Sequence, residues 1–255
     1  MAEPFARRLK IAKDMRQHLL ITIDGPAGVG KSTAAKLLAK RLGLLYLDTG
    51  ATYRALAYVA LMKGVDLQNV AHLVRLVRSL RIGLHQTKAG GFMVALNGRN
   101  VTRKIRTERV TEVAAIIAQH PRIRSAMVRL QRQLAGRQPC VAEGRDTGSV
   151  VFPHAPYKFF LTANPKVRAR RRRKELKTVQ GRSPALAVIA RQLLVRDRLD
   201  RRRKVGPLIK PSNSVVLNTS RLKAREVVQC MLRSMALPSP AAMSQMGTNG
   251  PPRLR

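Results

Sequence analysis

Short apolar runs recur along the chain, each followed by a polar or glycine-containing turn: Leu19–Ile23, Leu44–Leu47, Cys140–Ala142, Tyr157–Leu161 and Val215–Leu217. Runs that stay apolar without alternating read as strands covered on both faces, the pattern of a parallel sheet. Helical periodicity lies between them. Over Ser32–Leu42 the residues Ala35, Leu38, Ala39 and Leu42 share one face and Gly43 stops the helix. Pro121–Leu134 and Pro184–Leu199 give further helical patterns. Alternating strands and helices predict a three-layer α/β fold around a central parallel sheet, with ligands gathered at the carboxyl ends of the strands.

The pattern changes between about residues 76 and 116, where Leu80–Leu84 and Phe92–Leu96 alternate around the turn Lys88-Ala89-Gly90-Gly91. Two alternating runs about a glycine turn predict a small antiparallel insert. Residues 1–18 are basic without the apolar stretch of a secretory signal and read as a flexible leader; Glu3 and Asp14 weigh against an organelle transit peptide. Residues 237–255, rich in Pro, Ser, Gly and Met without periodicity, read as a disordered tail, leaving 19–236 as the folded domain.

Composition narrows the class. The 255 residues suffice for one sizeable core, and 45% hydrophobic residues exclude global disorder. No uncharged apolar run nears the roughly 18 residues of a membrane helix. Cys140 and Cys230 lack metal-ligand or redox spacing and suit packing in a reducing compartment, so a cytoplasmic location is expected. Fifty Lys and Arg against 13 Asp and Glu give a net charge of +37, which attracts nucleotides, RNA or any polyanion. Six of the 13 acids, Asp24, Asp48, Glu143, Asp146, Asp197 and Asp200, fall in the segments that carry the candidate chemistry.

The strongest of those segments is Gly25-Pro26-Ala27-Gly28-Val29-Gly30-Lys31-Ser32-Thr33, between the first strand and the first helix. It fits G-x-x-x-x-G-K-[ST] in the required strand–loop–helix context. The glycines let successive amides converge on one anion, and the helix N-terminus adds positive potential. Lys31 can then reach the β- and γ-phosphates of a nucleoside triphosphate, and the Ser32 hydroxyl can ligate Mg²⁺.

Further cationic groups stand at strand and helix ends. Thr49 and Arg54 lie in Asp48-Thr49-Gly50-Ala51-Thr52-Tyr53-Arg54 after the second strand, and Arg145 and Asp146 in Glu143-Gly144-Arg145-Asp146 after the third. The Arg fork suits a phosphate, whereas an ordinary solvated helix residue or a surface ion pair is the plainer reading of each. Arg168-Ala-Arg170-Arg171-Arg172-Arg173-Lys174 follows the fourth strand, and Arg196-Asp197-Arg198-Leu199-Asp200-Arg201-Arg202-Arg203 ends the next helix. Such runs suit a mobile lid that brings charge onto a transferring phosphoryl group.

Taken together, the phosphate loop, Leu47–Arg54, Ile105-Arg106-Thr107, Pro121-Arg122-Ile123-Arg124, Gly144-Arg145-Asp146 with Val150-Val151-Phe152-Pro153, and Arg196-Asp197 through Pro207-Leu208 resemble the cytidylate (CMP/dCMP) kinase family from about Ile21 to Leu232. The resemblance implies a P-loop kinase fold with an inserted antiparallel monophosphate-binding region and a short Arg-rich lid at about 165–185. It implies ATP on Gly25–Thr33 with Mg²⁺ at Ser32, and CMP or dCMP as acceptor. Thr49, Arg54, Arg145 and Arg203 would surround the acceptor phosphate, Arg124 and Asp146 would read the cytosine edge, and Arg196 with Asp200 would hold the ribose. Lys31, Arg145 and Arg203 would be catalytic, and Arg168, Arg171 and Arg172 would form the lid. The expected product is CDP or dCDP, from a monomer with no membrane association.

Three departures stand out. Ala115 occupies a position where the family usually has a Ser touching the base, Asn213 and Asn218 replace two Asp, and a charge of +37 is foreign to the family. That charge keeps a second reading open: a catalytically weak kinase-fold protein that binds RNA or ribosomes. The chain has only 4% aromatic residues and no Trp, so it offers few stacking platforms for RNA bases.

Overall fold

A computed structural model describes residues 19–87, 91–181 and 183–236. The expected leader 1–18, the expected tail 237–255 and residues 88–90 of the expected turn lie outside the described residues, as does residue 182 of the expected lid.

The apolar runs form a five-stranded parallel sheet: β1 (Leu20–Asp24), β2 (Leu45–Asp48), β6 (Cys140–Glu143), β7 (Tyr157–Thr162) and β8 (Val215–Asn218), in the order β2-β6-β1-β7-β8. Register aligns the carboxyl ends, with Ile23 opposite Glu143 and Asp48 opposite Glu143. Every chain segment leaving these strands therefore emerges on one edge of the sheet.

Alternation sorts the strand residues between two helical layers. Ile21, Ile23, Val141 and Tyr46 pack under α1 (Lys31–Leu42) and α8 (Ala224–Ala236), against Ala35, Leu38, Val228 and Met231. Leu47, Cys140 and Ala142 face the other way, onto Ala135 of α5 (Pro121–Ala135). α1 ends as the sequence predicts, at Gly43 with φ 69°, whose N–H bonds the Ala39 carbonyl.

α2 (Thr49–Met62), α3 (Val70–Ser79), α4 (Glu108–Ile117) and α5 share a second core with the small sheet, centred on Leu56, Leu73, Ile105, Val113, Ile117 and Ile123. The small sheet is antiparallel: β3 (Ile82–Gln86), β4 (Phe92–Leu96) and the two-residue β5 (Arg99–Asn100). Its first strand begins two residues later than the alternation suggests, because Leu80 closes α3 with its N–H on the Val77 carbonyl. Between β7 and β8 run α6 (Pro165–Gln180) and α7 (Leu186–Arg201), the latter held to α6 through Ile189 and Leu193 on Ala169. None of the helices is long and apolar enough, among the described residues, to cross a membrane.

Candidate functional site

The loop from Gly25 to Gly30 turns sharply between β1 and α1 and uses glycines where side chains cannot go. At Gly25 (φ 142°) a Cβ would overlap the Leu161 carbonyl oxygen, and Gly28 and Gly30 have φ of 77° and 94°. The loop carbonyls are tied from behind. Lys31 Nζ donates to Pro26 O at 2.8 Å, Arg168 Nε to Ala27 O at 2.7 Å, and Thr219 Oγ1 and Arg171 Nη1 to Val29 O at 2.8 and 3.2 Å. Ala27 N donates to Asp197 Oδ1 at 3.4 Å, and the loop amides that follow it remain to meet an anion.

That face opens on a cavity of about 200 Å³ at the carboxyl edge of the sheet. Ala27, Gly28, Lys31 and Ser32 line it, while Gly25, Pro26, Val29, Gly30 and Thr33 shape the loop without reaching the wall. Thr49, Arg54, Arg124, Arg145, Asp146, Arg196, Asp200 and Arg203, drawn from four separate stretches of chain, all lie on the same wall.

Arg54, Arg124, Arg145 and Arg203 are each aimed by a carboxylate. Arg54 Nη2 donates to Asp48 Oδ2 at 2.8 Å, and Asp48 also caps α2 through Ala51 N at 2.8 Å. Arg145 Nε donates to Asp200 Oδ2 at 2.8 Å, and Arg203 pairs with the other oxygen of Asp200. Arg124, 1% exposed, pairs with Asp146 and lies 5.6 Å from the Tyr53 ring centroid. Gly206 (φ 61°) passes so close over this pair that a Cβ would overlap both side chains. Thr49 Oγ1 donates to the Glu143 carbonyl at 2.7 Å, which pins the start of α2 to the end of β6.

All six acids singled out by their placement in the sequence, Asp24, Asp48, Glu143, Asp146, Asp197 and Asp200, are buried. They leave the cavity cationic all the same. The Nε atoms of Arg54, Arg196 and Arg203 are buried and have no hydrogen-bond partner among the described residues. Burial, reinforced by Arg145, drives the Arg196 guanidinium down to about 10. Burial and then Arg145 also lower the Lys31 ammonium to about 7, against the opposing pull of Glu143 and Asp24. Burial opposes the charge of Asp200, yet Arg145, Arg203 and Arg196 together hold its carboxyl below the usual carboxylate range. Buried donors without partners and destabilised cations are the two marks of a site built for an anion.

The three expected lid arginines divide. Arg172 lines the cavity, paired with Glu175 at 2.9 Å. Arg168 and Arg171 instead turn inward: Arg168 pairs with Asp197 at 2.6 Å, and Arg171 donates to Thr219 O at 2.6 Å as well as to the phosphate loop. Ala115 lines the cavity beside Ala114 and Ala118, a small apolar wall near the Arg124–Asp146 pair. Asn213 adopts φ 55° in a turn and Asn218 Oδ1 accepts from Ser220 N at 3.0 Å; neither lines the cavity.

Some wall residues had no assigned role in the sequence reading. Arg106 and Tyr53 both lie inside quoted motifs, and Tyr53 follows Thr49 at the i+4 spacing that shares a helix face. Glu143 takes a 2.6 Å hydrogen bond from Tyr46 Oη, and burial followed by Asp48 raises its carboxyl above the usual range. Tyr46 lies 97 residues away, so no local signal pairs the two.

The chain matches the family model described as cytidylate kinase over residues 21–237. It is 42% identical to a cytidylate kinase of Pelotomaculum thermopropionicum over 83% of this chain and 93% of that protein. A cytidylate kinase of Geobacillus sp. matches at 42% over 84% of this chain and 95% of its own length. A bifunctional pantoate ligase/cytidylate kinase of Synechococcus sp. is 41% identical over 85% of this chain, which spans 44% of that longer protein.

Proposed function

The chain belongs to the cytidylate kinase family, and from that premise we propose that it transfers the γ-phosphoryl group of ATP to CMP or dCMP, giving ADP and CDP or dCDP. The observation that carries this reading is the single cavity onto which the phosphate-loop residues Lys31 and Ser32, the arginines Arg54, Arg145 and Arg203, and the Arg124–Asp146 pair all open.

An oxygen of the acceptor phosphate attacks the γ-phosphorus of ATP, and the bond to the β,γ-bridging oxygen breaks with its electrons leaving on ADP. Little covalent work falls to the protein in such a reaction, so positioning and charge neutralisation supply the acceleration. Lys31 exchanges the Pro26 carbonyl for phosphate oxygens and offsets charge on the transferring group. Arg54, Arg145 and Arg203 hold the acceptor phosphate, and their unpartnered Nε atoms at Arg54 and Arg203 suit that role. Thr49 starts the helix that aims Arg54. Arg124 and Asp146 present a donor and an acceptor to the cytosine edge, Arg196 and Asp200 take the ribose, and Arg172 reaches the transferring phosphate from α6. Arg168 and Arg171 hold the phosphate loop in shape.

Mg²⁺ fits the donor set at the loop. Ser32 on the cavity wall and Glu143 beside it supply hard oxygen atoms, as few as a cation carried on nucleotide phosphates needs. When bound, the ion neutralises phosphate charge and orients the chain of phosphates.

The alternative of an RNA- or ribosome-binding protein draws no support from the relatives. An ADP-release assay with Mg·ATP against CMP, dCMP, UMP and AMP at moderate salt decides the matter. Turnover with CMP and dCMP above the other two is expected; folded protein inert toward all four overturns the proposal.

A further inference from the structure

Asp24 does not line the cavity, yet both of its carboxylate oxygens are fully engaged. Oδ1 accepts from Thr147 N at 2.8 Å and from Thr147 Oγ1 at 2.7 Å, and Oδ2 accepts from Gly148 N at 2.7 Å. Asp24 is the last residue of β1, 0% exposed, and Gly25 of the phosphate loop follows it directly. Thr147 and Gly148 directly follow Arg145 and Asp146. One buried carboxylate thus bridges the strand that launches the phosphate loop and the segment that carries the acceptor-facing charges.

We infer that Asp24 is a positioning residue for acceptor binding: it clamps the 144–148 segment to β1 and so sets Arg145 and Asp146 in place beside the phosphate loop. The inference rests on the kinase reading above and deepens it. Charge-assisted bonds of this kind are the strong ones, and three of them converge on a group from which water is excluded. The contact is close-fitting as well. A Cβ at Gly148 would lie 2.7 Å from Thr22 Oγ1 and 3.3 Å from Asp24 Oδ2, so the segment lies flat on β1.

The effect falls on the acceptor side because the two partners of the clamp are not equally supported. The phosphate loop has its own ties, from Lys31, Arg168, Arg171 and Thr219 to its carbonyls. The 144–148 segment is held before its start by Thr49 on the Glu143 carbonyl, and after its end by Arg132 on the Val150 and Val151 carbonyls. Between those points Gly144 N donates to Ile23 O at 3.1 Å ahead of Arg145, and Asp24 anchors the residues that follow Asp146, while the partners of Arg145 and Asp146, namely Asp200 and Arg124, themselves line the cavity.

Asp24→Asn puts an amide donor against backbone donors while keeping the shape, and Thr147→Val removes only the side-chain donor. With CMP and Mg·ATP as substrates, Asp24→Asn is expected to raise the KM for CMP by about tenfold or more and the KM for ATP by a smaller factor, through the lost negative charge that supports the Lys31 ammonium. Thr147→Val is expected to raise the KM for CMP by a smaller factor, on the order of threefold. If Asp24→Asn fails to fold, Thr147→Val decides alone. A purely structural role would lower the melting temperature and leave the KM for CMP unchanged, or raise both KM values by the same factor; either result in a folded variant overturns the inference. Wild-type protein that does not turn over CMP overturns the kinase reading and the inference with it.

Discussion

Arg145 Nε donates to Asp200 Oδ2 across 2.8 Å, joining the end of β6 to the last turn of α7 over 55 residues of sequence. Arg203 takes the other oxygen of the same carboxylate, and Arg196 lies close enough for Asp200 to support its charge. One carboxylate therefore pairs with two guanidinium groups and supports the charge of a third at the edge of a cavity. Removing one partner from a buried ion pair leaves uncompensated charge and costs about 3–5 kcal/mol. Asp200→Ala is expected to lower the melting temperature and to reduce kcat/KM for CMP by about 100-fold or more. Thermal unfolding and initial-rate kinetics on one preparation check both.

Lys31 has its ammonium lowered to about 7 by burial and then by Arg145. A bound triphosphate adds negative charge beside it and raises that value, so near neutral pH binding draws a proton from solvent. Proton uptake means that affinity for ATP weakens as pH rises above 7. Calorimetric titration in two buffers of different ionisation enthalpy reads this directly: a fraction of a proton taken up at pH 7.5, absent in Lys31→Ala.

The same variant tests catalysis. Lys31→Ala is expected to cut turnover by about 1000-fold or more while leaving the fold, because the ammonium bonds only Pro26 O among the described residues. Retained turnover in a folded Lys31→Ala protein would remove Lys31 from the mechanism.

Ala115 sits on an apolar wall with Ala114 and Ala118, beside the arginine and aspartate assigned to the base. Ala115→Ser offers one hydroxyl to that edge. A hydrogen bond made there is worth about 1 kcal/mol, so the KM for CMP should fall by about fivefold with kcat little changed. Equal KM values in the two proteins would show that the base lies beyond the reach of residue 115.

Gly206→Ala is a steric probe of the Arg124–Asp146 pair. The added methyl overlaps both side chains, and the left-handed backbone at φ 61° resists any residue with a Cβ. Loss of CMP binding by about tenfold or more is expected, with ATP binding spared. Separate titrations with each nucleotide check the split.

What the sequence determined by itself was written in contiguous stretches. Apolar runs and 3.6-residue spacing placed the five parallel strands and the helices α1, α5 and α7, since burial on two faces or one imposes those periods locally. The phosphate loop was legible for the same reason, because its glycines, Lys31 and Ser32 act through one short turn. Clustered acids in a basic chain marked the neighbourhood of the cavity, where Asp48, Asp146, Asp197 and Asp200 each pair with an arginine. Only the tertiary structure decided which way neighbouring side chains point. Arg168, Arg171 and Arg172 lie within five positions of one helix, yet only Arg172 reaches the cavity; Asp197 and Thr219 draw the other two to the back of the loop. Asp24 and Thr147 are 123 residues apart, and Tyr46 and Glu143 are 97 apart. Such pairs have no period or spacing to announce them. They exist because parallel strands bring distant carboxyl ends side by side, where buried polar groups must find partners among whatever the fold has placed within reach.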